Sequence, residues 1–266
     1  MLRDVLGKTL FDQRRSLLGW SLALVLLVAM YVAIWPSVRD QPSMSDFLDQ
    51  MPEAFRSLFA ATGADMSTGA GYLQVELLSF MGPIIVLIYA VGSGSSAVAG
   101  EEERRTMDTL LANPVSRTRV VLHKAAAMVL GTALLGAVLA AALVLEGRLA
   151  DMGLPTGNVV AAMLHLTLLG VVFGSLALAV SATTGSVALS RAVPVVVAVV
   201  AYLVNGLAPM VDWLRPLQKG SPFFQYAGHD PLHHGLDAAS LAVAVATTVV
   251  LVAAAVWGFR RRDVHG

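Results

Sequence analysis

The chain has 266 residues, 18 acidic and 18 basic side chains and no cysteine; 56% of its residues are hydrophobic and 14% charged, against about 25% charged in soluble domains. Mean hydropathy is +0.71. These values exclude a soluble globular domain, and the missing cysteines exclude a disulfide framework, thiolate metal sites and a cysteine nucleophile.

At about 20 apolar residues per crossing, six spans are predicted, near residues 17–36, 76–98, 121–145, 158–181, 189–211 and 239–259. They leave no room for a separate soluble domain, so the fold class is an all-α integral membrane protein with one transmembrane domain over 1–266. At the N-terminus, Leu2, Val5, Leu6 and Leu10 fall at helical spacing while Arg3, Lys8, Arg14 and Arg15 take other faces. Residues 1–16 are therefore expected to form an amphipathic helix lying in the membrane interface. The apolar run that begins at Leu17 outlasts the roughly 7–15 residues of a cleavable signal core. It reads as span one, and Arg14-Arg15 is not an export signal. Gly7-Lys8-Thr9 is like the tail of a phosphate-binding loop, but Leu2 stands where that loop needs glycine and no strand precedes it.

Residues 37–75 are acidic and turn-rich, with a short helix predicted around Ser45 to Ala60. Pro83, Pro194 and Pro209 are expected to kink spans two and five. Gly170 and Gly174 make a small-residue step in span four, serving either internal packing, the favoured reading, or a dimer seam.

Residues 99–120 stand apart as a charged segment between two apolar runs. Glu101, Glu102 and Glu103 follow Gly100 and suit a helix's first turn, where negative charge meets the positive end of the dipole. Met107, Leu110 and Leu111 recur at helical spacing as one apolar face, and Asn113-Pro114 ends the helix. A short helix with such a stripe must bury it; the three glutamates disfavour anionic lipid and favour a protein partner. The run Glu101 to Arg105 is also like the E-E-x-x-x-R of intramembrane metalloproteases, but Thr106 and Met107 stand where its arginine belongs.

Few polar groups lie at membrane depth, which disfavours a proton- or ion-coupled carrier. His165 and Asn205 are the candidates for lining a pathway, each alternatively satisfied by a neighbouring group. The outer loop, 212–238, holds His229, His233 and His234. Pro231 disfavours a regular helix through them, so loop packing is favoured over a metal site. Placing both termini on one side gives that side 13 basic residues against 5 opposite. The termini are thus predicted cytoplasmic.

Two stretches resemble the permease subunits of ATP-binding-cassette (ABC) exporters of the ABC-two type. One is Glu101 to Glu103, Thr106, Leu110-Leu111, Pro114-Val115-Ser116-Arg117 and Lys124; the other is Ser221-Pro222-Phe223, Tyr226, Gly228, Asp230-Pro231-Leu232 and Gly235. The resemblance implies a coupling helix after span two that seats in a separate ATPase, with Met107, Leu110 and Leu111 as its apolar contact. Glu101, Glu102, Glu103, Arg104 and Arg105 then form its polar rim. It also implies short re-entrant helices before span six, and a complex of two permeases, identical or related, with two ATPase subunits that bind ATP and magnesium. This chain then binds no cofactor or metal, catalyses nothing and meets lipid but no nucleic acid. A secondary transporter, and a membrane sensor or scaffold that docks an ATPase without transporting, are the alternatives.

Overall fold

The computed structural model describes residues 5–39, 50–58, 65–107, 110 and 115–262. The chain is all-helical, with no strand among the described residues. The first helix, α1 (Val5–Arg39), is followed by the short α2 (Glu53–Leu58) and α3 (Gly69–Leu73). A π-helical turn, Gln74–Leu78, leads into α4 (Met81–Ser96), and α5 (Ala99–Glu103) opens the charged segment. Three long helices follow, α6 (Arg117–Leu149), α7 (Thr156–Thr184) and α8 (Val187–Leu207). A 3-10 turn, Asp212–Leu214, and three short helices, α9 (Arg215–Gln218), α10 (Pro222–Ala227) and α11 (Pro231–His234), then precede α12 (Ala238–Arg261).

Five of these helices are long and apolar enough to cross a membrane, or six when the bent pair Gly69–Leu78 and Met81–Ser96 counts as one span. The bend is 43° and falls at Phe80, just ahead of Pro83. Pro83 sits in the first turn of α4, where a missing N–H costs nothing, so the break precedes the proline. Pro194 lies inside α8, whereas Pro209 comes after that helix has ended and does not kink it.

Among the described residues, no separate interfacial helix precedes span one. Helix α1 runs unbroken from Val5, because no proline interrupts it before Pro36 and Thr9 folds its hydroxyl back onto the Val5 carbonyl at 2.8 Å. Its 35 residues extend about 52 Å against a hydrocarbon core of about 30 Å. Residues 5–16 therefore continue the helix of span one. Of the helix predicted over 45–60, α2 is present; residues 45–49 and 59–60 lie outside the described residues.

Helix α7 is the hub. It packs against α4, α6, α8 and α12, and 78% of its most apolar window is buried, against 17% in α8 and α12. Small residues make this close approach possible. A Cβ on Gly170 would meet Val86 of α4 at 2.4 Å, one on Gly174 would meet Met128 of α6 at 2.7 Å, and one on Gly94 would meet the Gly174 carbonyl at 2.1 Å. The Gly170–Gly174 step is thus internal packing. Helix α1 lies along α6 on the outside.

Candidate partner-coupling site

The charged segment is built from the ends of four helices. Ser181, near the end of α7, accepts from the Ala99 N–H at 2.8 Å and donates to the Ser95 carbonyl at 2.9 Å. That pair fixes the start of α5 on α7. The helix then stops after one turn: Arg105 takes a left-handed conformation (φ 57°), and the Thr106 hydroxyl turns back to both the Glu101 carboxylate and its carbonyl. The single helix predicted from Glu101 to Asn113 is therefore interrupted at 104–106. Met107 and Leu110 are helical again beyond the break, while Leu111, Asn113 and Pro114 lie outside the described residues.

Two ion pairs tie the segment to other helices. Glu101 meets the Lys124 ammonium of α6 at 2.5 Å, with both side chains nearly buried (12% and 8% exposed), and Arg104 approaches at 3.8 Å. Burial pushes the Glu101 carboxyl up, but hydrogen bonds from Lys124 and Thr106 and the charges of Lys124 and Arg104 outweigh it and hold the group below its ordinary value. Glu102 pairs with Arg262 at the end of α12. Arg117, at the start of α6, donates to the carbonyls of Phe259 (3.2 Å) and Arg262 (2.5 Å). Gly185 completes this corner: its φ is +67°, and any Cβ would strike the Arg262 guanidinium at 1.8 Å.

Met107 and Leu110 do not face outward. They are 2% and 8% exposed and belong to an apolar cluster with Val98, Val120, Val121, Leu178 and Phe259. Of the stripe expected to meet a partner, Met107 and Leu110 are covered by this chain's own α6, α7 and α12. The charged rim is what faces out: Glu103, Arg104 and Arg105 are exposed, whereas the Glu101 and Glu102 side chains are largely covered in their ion pairs. The recurring residues after the break have structural tasks as well. Ser116 caps α6 by accepting from the Arg119 N–H at 3.2 Å, Arg117 holds α12, and Lys124 neutralises Glu101.

At the opposite end, His165 is buried and fully partnered. Its Nδ1 lies 2.9 Å from the Gln225 carbonyl, and its Nε2 accepts from the Asp237 N–H at 3.3 Å, which places the ring proton on Nδ1. The ring ties α10 and the start of α12 to a point nine residues into α7, about 14 Å from that helix's first residue. The short helices α10 and α11 therefore pack along α7. Asn205, on α8, is half-buried; its carbonyl accepts from Gln218 at 3.1 Å and its side-chain oxygen is buried with no hydrogen-bond partner. His165 and Asn205 take different partners, Gln225 and Asp237 for the first and Gln218 for the second. In the outer loop, His233 pairs with Asp230 at 2.8 Å and the rings of His229 and His234 lie 5.4 Å apart, and among the described residues no cluster of three metal-ligating groups exists.

A polar group that sequence reasoning missed lies between α1 and α4. The Tyr89 hydroxyl donates to Gln13 and Gln13 donates to Ser93, both at 3.3 Å. The Gly92-Ser93-Gly94-Ser95-Ser96 run inside an apolar span was the available signal.

Long apolar helices around a buried central one define a multi-pass, all-helical membrane protein. Residues 2–260 match the family described as multidrug efflux system permease Rv1217c, C-terminal domain, and the chain belongs to that family. It is a membrane subunit of the transporter class, which bears out the resemblance to permeases of ABC-two exporters. No curated protein matches the chain.

Proposed function

We propose that this chain is the transmembrane subunit of an ATP-driven exporter. Two permease copies, identical or related, span the cell membrane with their termini in the cytoplasm. Two copies of a separate ABC ATPase bind ATP and magnesium and perform the hydrolysis. The excess of basic residues on the side holding the termini supports this orientation. The substrate is an amphipathic or hydrophobic small molecule, in keeping with the multidrug efflux permease that gives the family its description.

The observation that carries this reading is the wiring of the segment 99–107. Its outer rim offers Glu103, Arg104 and Arg105 to a partner, while its inner side is joined to α6 through Glu101–Lys124, to α12 through Glu102–Arg262 and to α7 through Ser181. A partner that displaces the rim moves three helices together. ATP-dependent closure of the ATPase pair thereby favours one of two arrangements of the bundle, by as much as its contacts differ between them.

The test is purification of the chain with its ATPase from native membranes. Recovery of an ATPase carrying a phosphate-binding loop, released by the double charge reversal Glu103→Lys, Arg105→Glu, is the expected result. Transport that survives ATP depletion, or an ATPase whose binding ignores that reversal, would sink the assignment.

A further inference from the structure

Helix α1 lies along α6, and the gap between α1 and α4 is bridged by side chains such as Gln13 and Trp20. This gap holds two adjoining cavities that meet at Gln13. At the charged end it widens into a cavity of about 390 Å³ that includes Lys8, Asp12, Glu101, Arg104 and Lys124. Toward the middle of the bundle it continues into a second cavity of about 220 Å³, lined by Ser16, Trp20, Ile88, Tyr89 and Gly92. The two share Gln13, Ser93 and Ser96. From Lys8 to Trp20 the lining spans twelve residues of α1, about 18 Å of helix, and changes from charged to hydroxyl-bearing to aromatic.

Three properties define an occupant. The volumes suit a small molecule, since ligand pockets run from about 300 to 1,000 Å³. The mouth is cationic: Lys8, Arg104 and Lys124 outnumber Asp12 and Glu101. The far end opens sideways, because Ile88 is 56% exposed and Gly92 faces empty space, with no atom within 4 Å of an added Cβ. At the waist, the two Gln13 hydrogen bonds are long, 3.3 Å each, so exchanging them for bonds to a guest costs little.

We infer that this cleft binds a membrane-dissolved amphiphile with an anionic head group, its head at Lys8 and Arg104 and its apolar body against Trp20, Ile88 and Tyr89. The inference rests on the exporter reading only in making this amphiphile the transported class. The binding itself requires no ATPase.

The experiment uses the purified full chain in nanodiscs of neutral phosphatidylcholine and a single-chain alkyl phosphate carrying a terminal dansyl group. Energy transfer from tryptophan to dansyl is expected to saturate and to fall sharply in Trp20→Phe. Gly92→Leu fills the cleft and is expected to weaken binding at least about tenfold, with an unchanged thermal midpoint. Lys8→Glu, at an exposed position, is expected to weaken it about fivefold. The same chain with a trimethylammonium head should bind more weakly, and inorganic phosphate should not displace the probe. Unaltered binding in both Gly92→Leu and Lys8→Glu overturns the site. A preference for the cationic head overturns the ligand class, and displacement by inorganic phosphate reduces the site to one for a free anion. Intact probe binding without ATP-driven efflux sinks the exporter reading alone; efflux of the probe without binding in the cleft sinks this inference alone.

Discussion

The two ends of the bundle are fastened by different chemistry. At the end holding the termini, α5 is joined to α6 and α12 by side-chain ion pairs, Glu101 with Lys124 and Glu102 with Arg262. At the other end, neutral side chains grip backbone carbonyls: Tyr226 holds Leu78 at 2.8 Å, Ser221 holds Ala201 at 2.9 Å, and Phe223 packs against Phe173 and Tyr202. A salt link can be traded for another when a charged partner arrives. An aromatic plug bonded to backbone has no such alternative. In the exporter proposed above, motion would belong to the ion-paired end and closure to the aromatic one.

Removing one partner of the buried ion pair is the sharpest way to break this comparison. Lys124→Met leaves Glu101 buried with only the more distant Arg104 as a counter-charge and is expected to cost up to about 3–5 kcal/mol. The double variant Glu101→Gln, Lys124→Met should recover most of the loss, as read by thermal unfolding in detergent. Equal losses in the single and double variants would mean that the pair is not a unit. Acid attacks the same place more mildly. Because the folded-state carboxyl of Glu101 sits below its ordinary value of 4.5, its contribution is complete above that pH and is lost as the pH falls through the lower folded value. Acid unfolding followed between pH 6 and pH 3 should therefore show a stability loss below about 4.5 that Glu101→Gln abolishes.

Much of the fold was legible in the residues where the signal is local, and most of what was missed depends on distant residues. The apolar runs announced the long helices, and the small step Gly170–Gly174 announced close packing, because both signals are local in sequence. Periodicity likewise placed Met107 and Leu110 on one face, but what covers a face is decided by distant residues. Here Val120, Leu178 and Phe259 take the place expected for a partner. Gln13 meets Tyr89 and Ser93 across 76 and 80 residues of chain, which no spacing rule detects. The extension of α1 was misjudged for the opposite reason. Its charged faces suit an interface, yet no proline breaks the backbone between Val5 and Pro36, and it continues as helix through Gly7 and Gly19.

At the aromatic end, Tyr226→Phe removes the hydroxyl that satisfies the Leu78 carbonyl, where the π-helical turn gives way to the bend at Phe80. The carbonyl then stays buried without that donor, at an expected cost of about 1–3 kcal/mol. Unlike the Glu101 pair, this loss should be the same at pH 4 as at pH 7, since no charge is involved. A pH-dependent loss in thermal unfolding would remove the contrast between the two ends.

The smallest effect sharpens the comparison within the ion-paired end itself. Ser116 contributes only a cap: its hydroxyl accepts from the Arg119 N–H at the start of α6, next to Arg117, which holds α12. Ser116→Ala should cost about 1 kcal/mol, and Ser116→Asp should restore it because aspartate caps equally well and meets the positive end of the dipole. Were the serine instead part of the partner-docking rim, aspartate would cap the helix yet fail in ATPase binding. Comparing thermal midpoint with ATPase retention in Ser116→Asp separates the two roles; restored stability together with retained binding leaves docking to Glu103, Arg104 and Arg105.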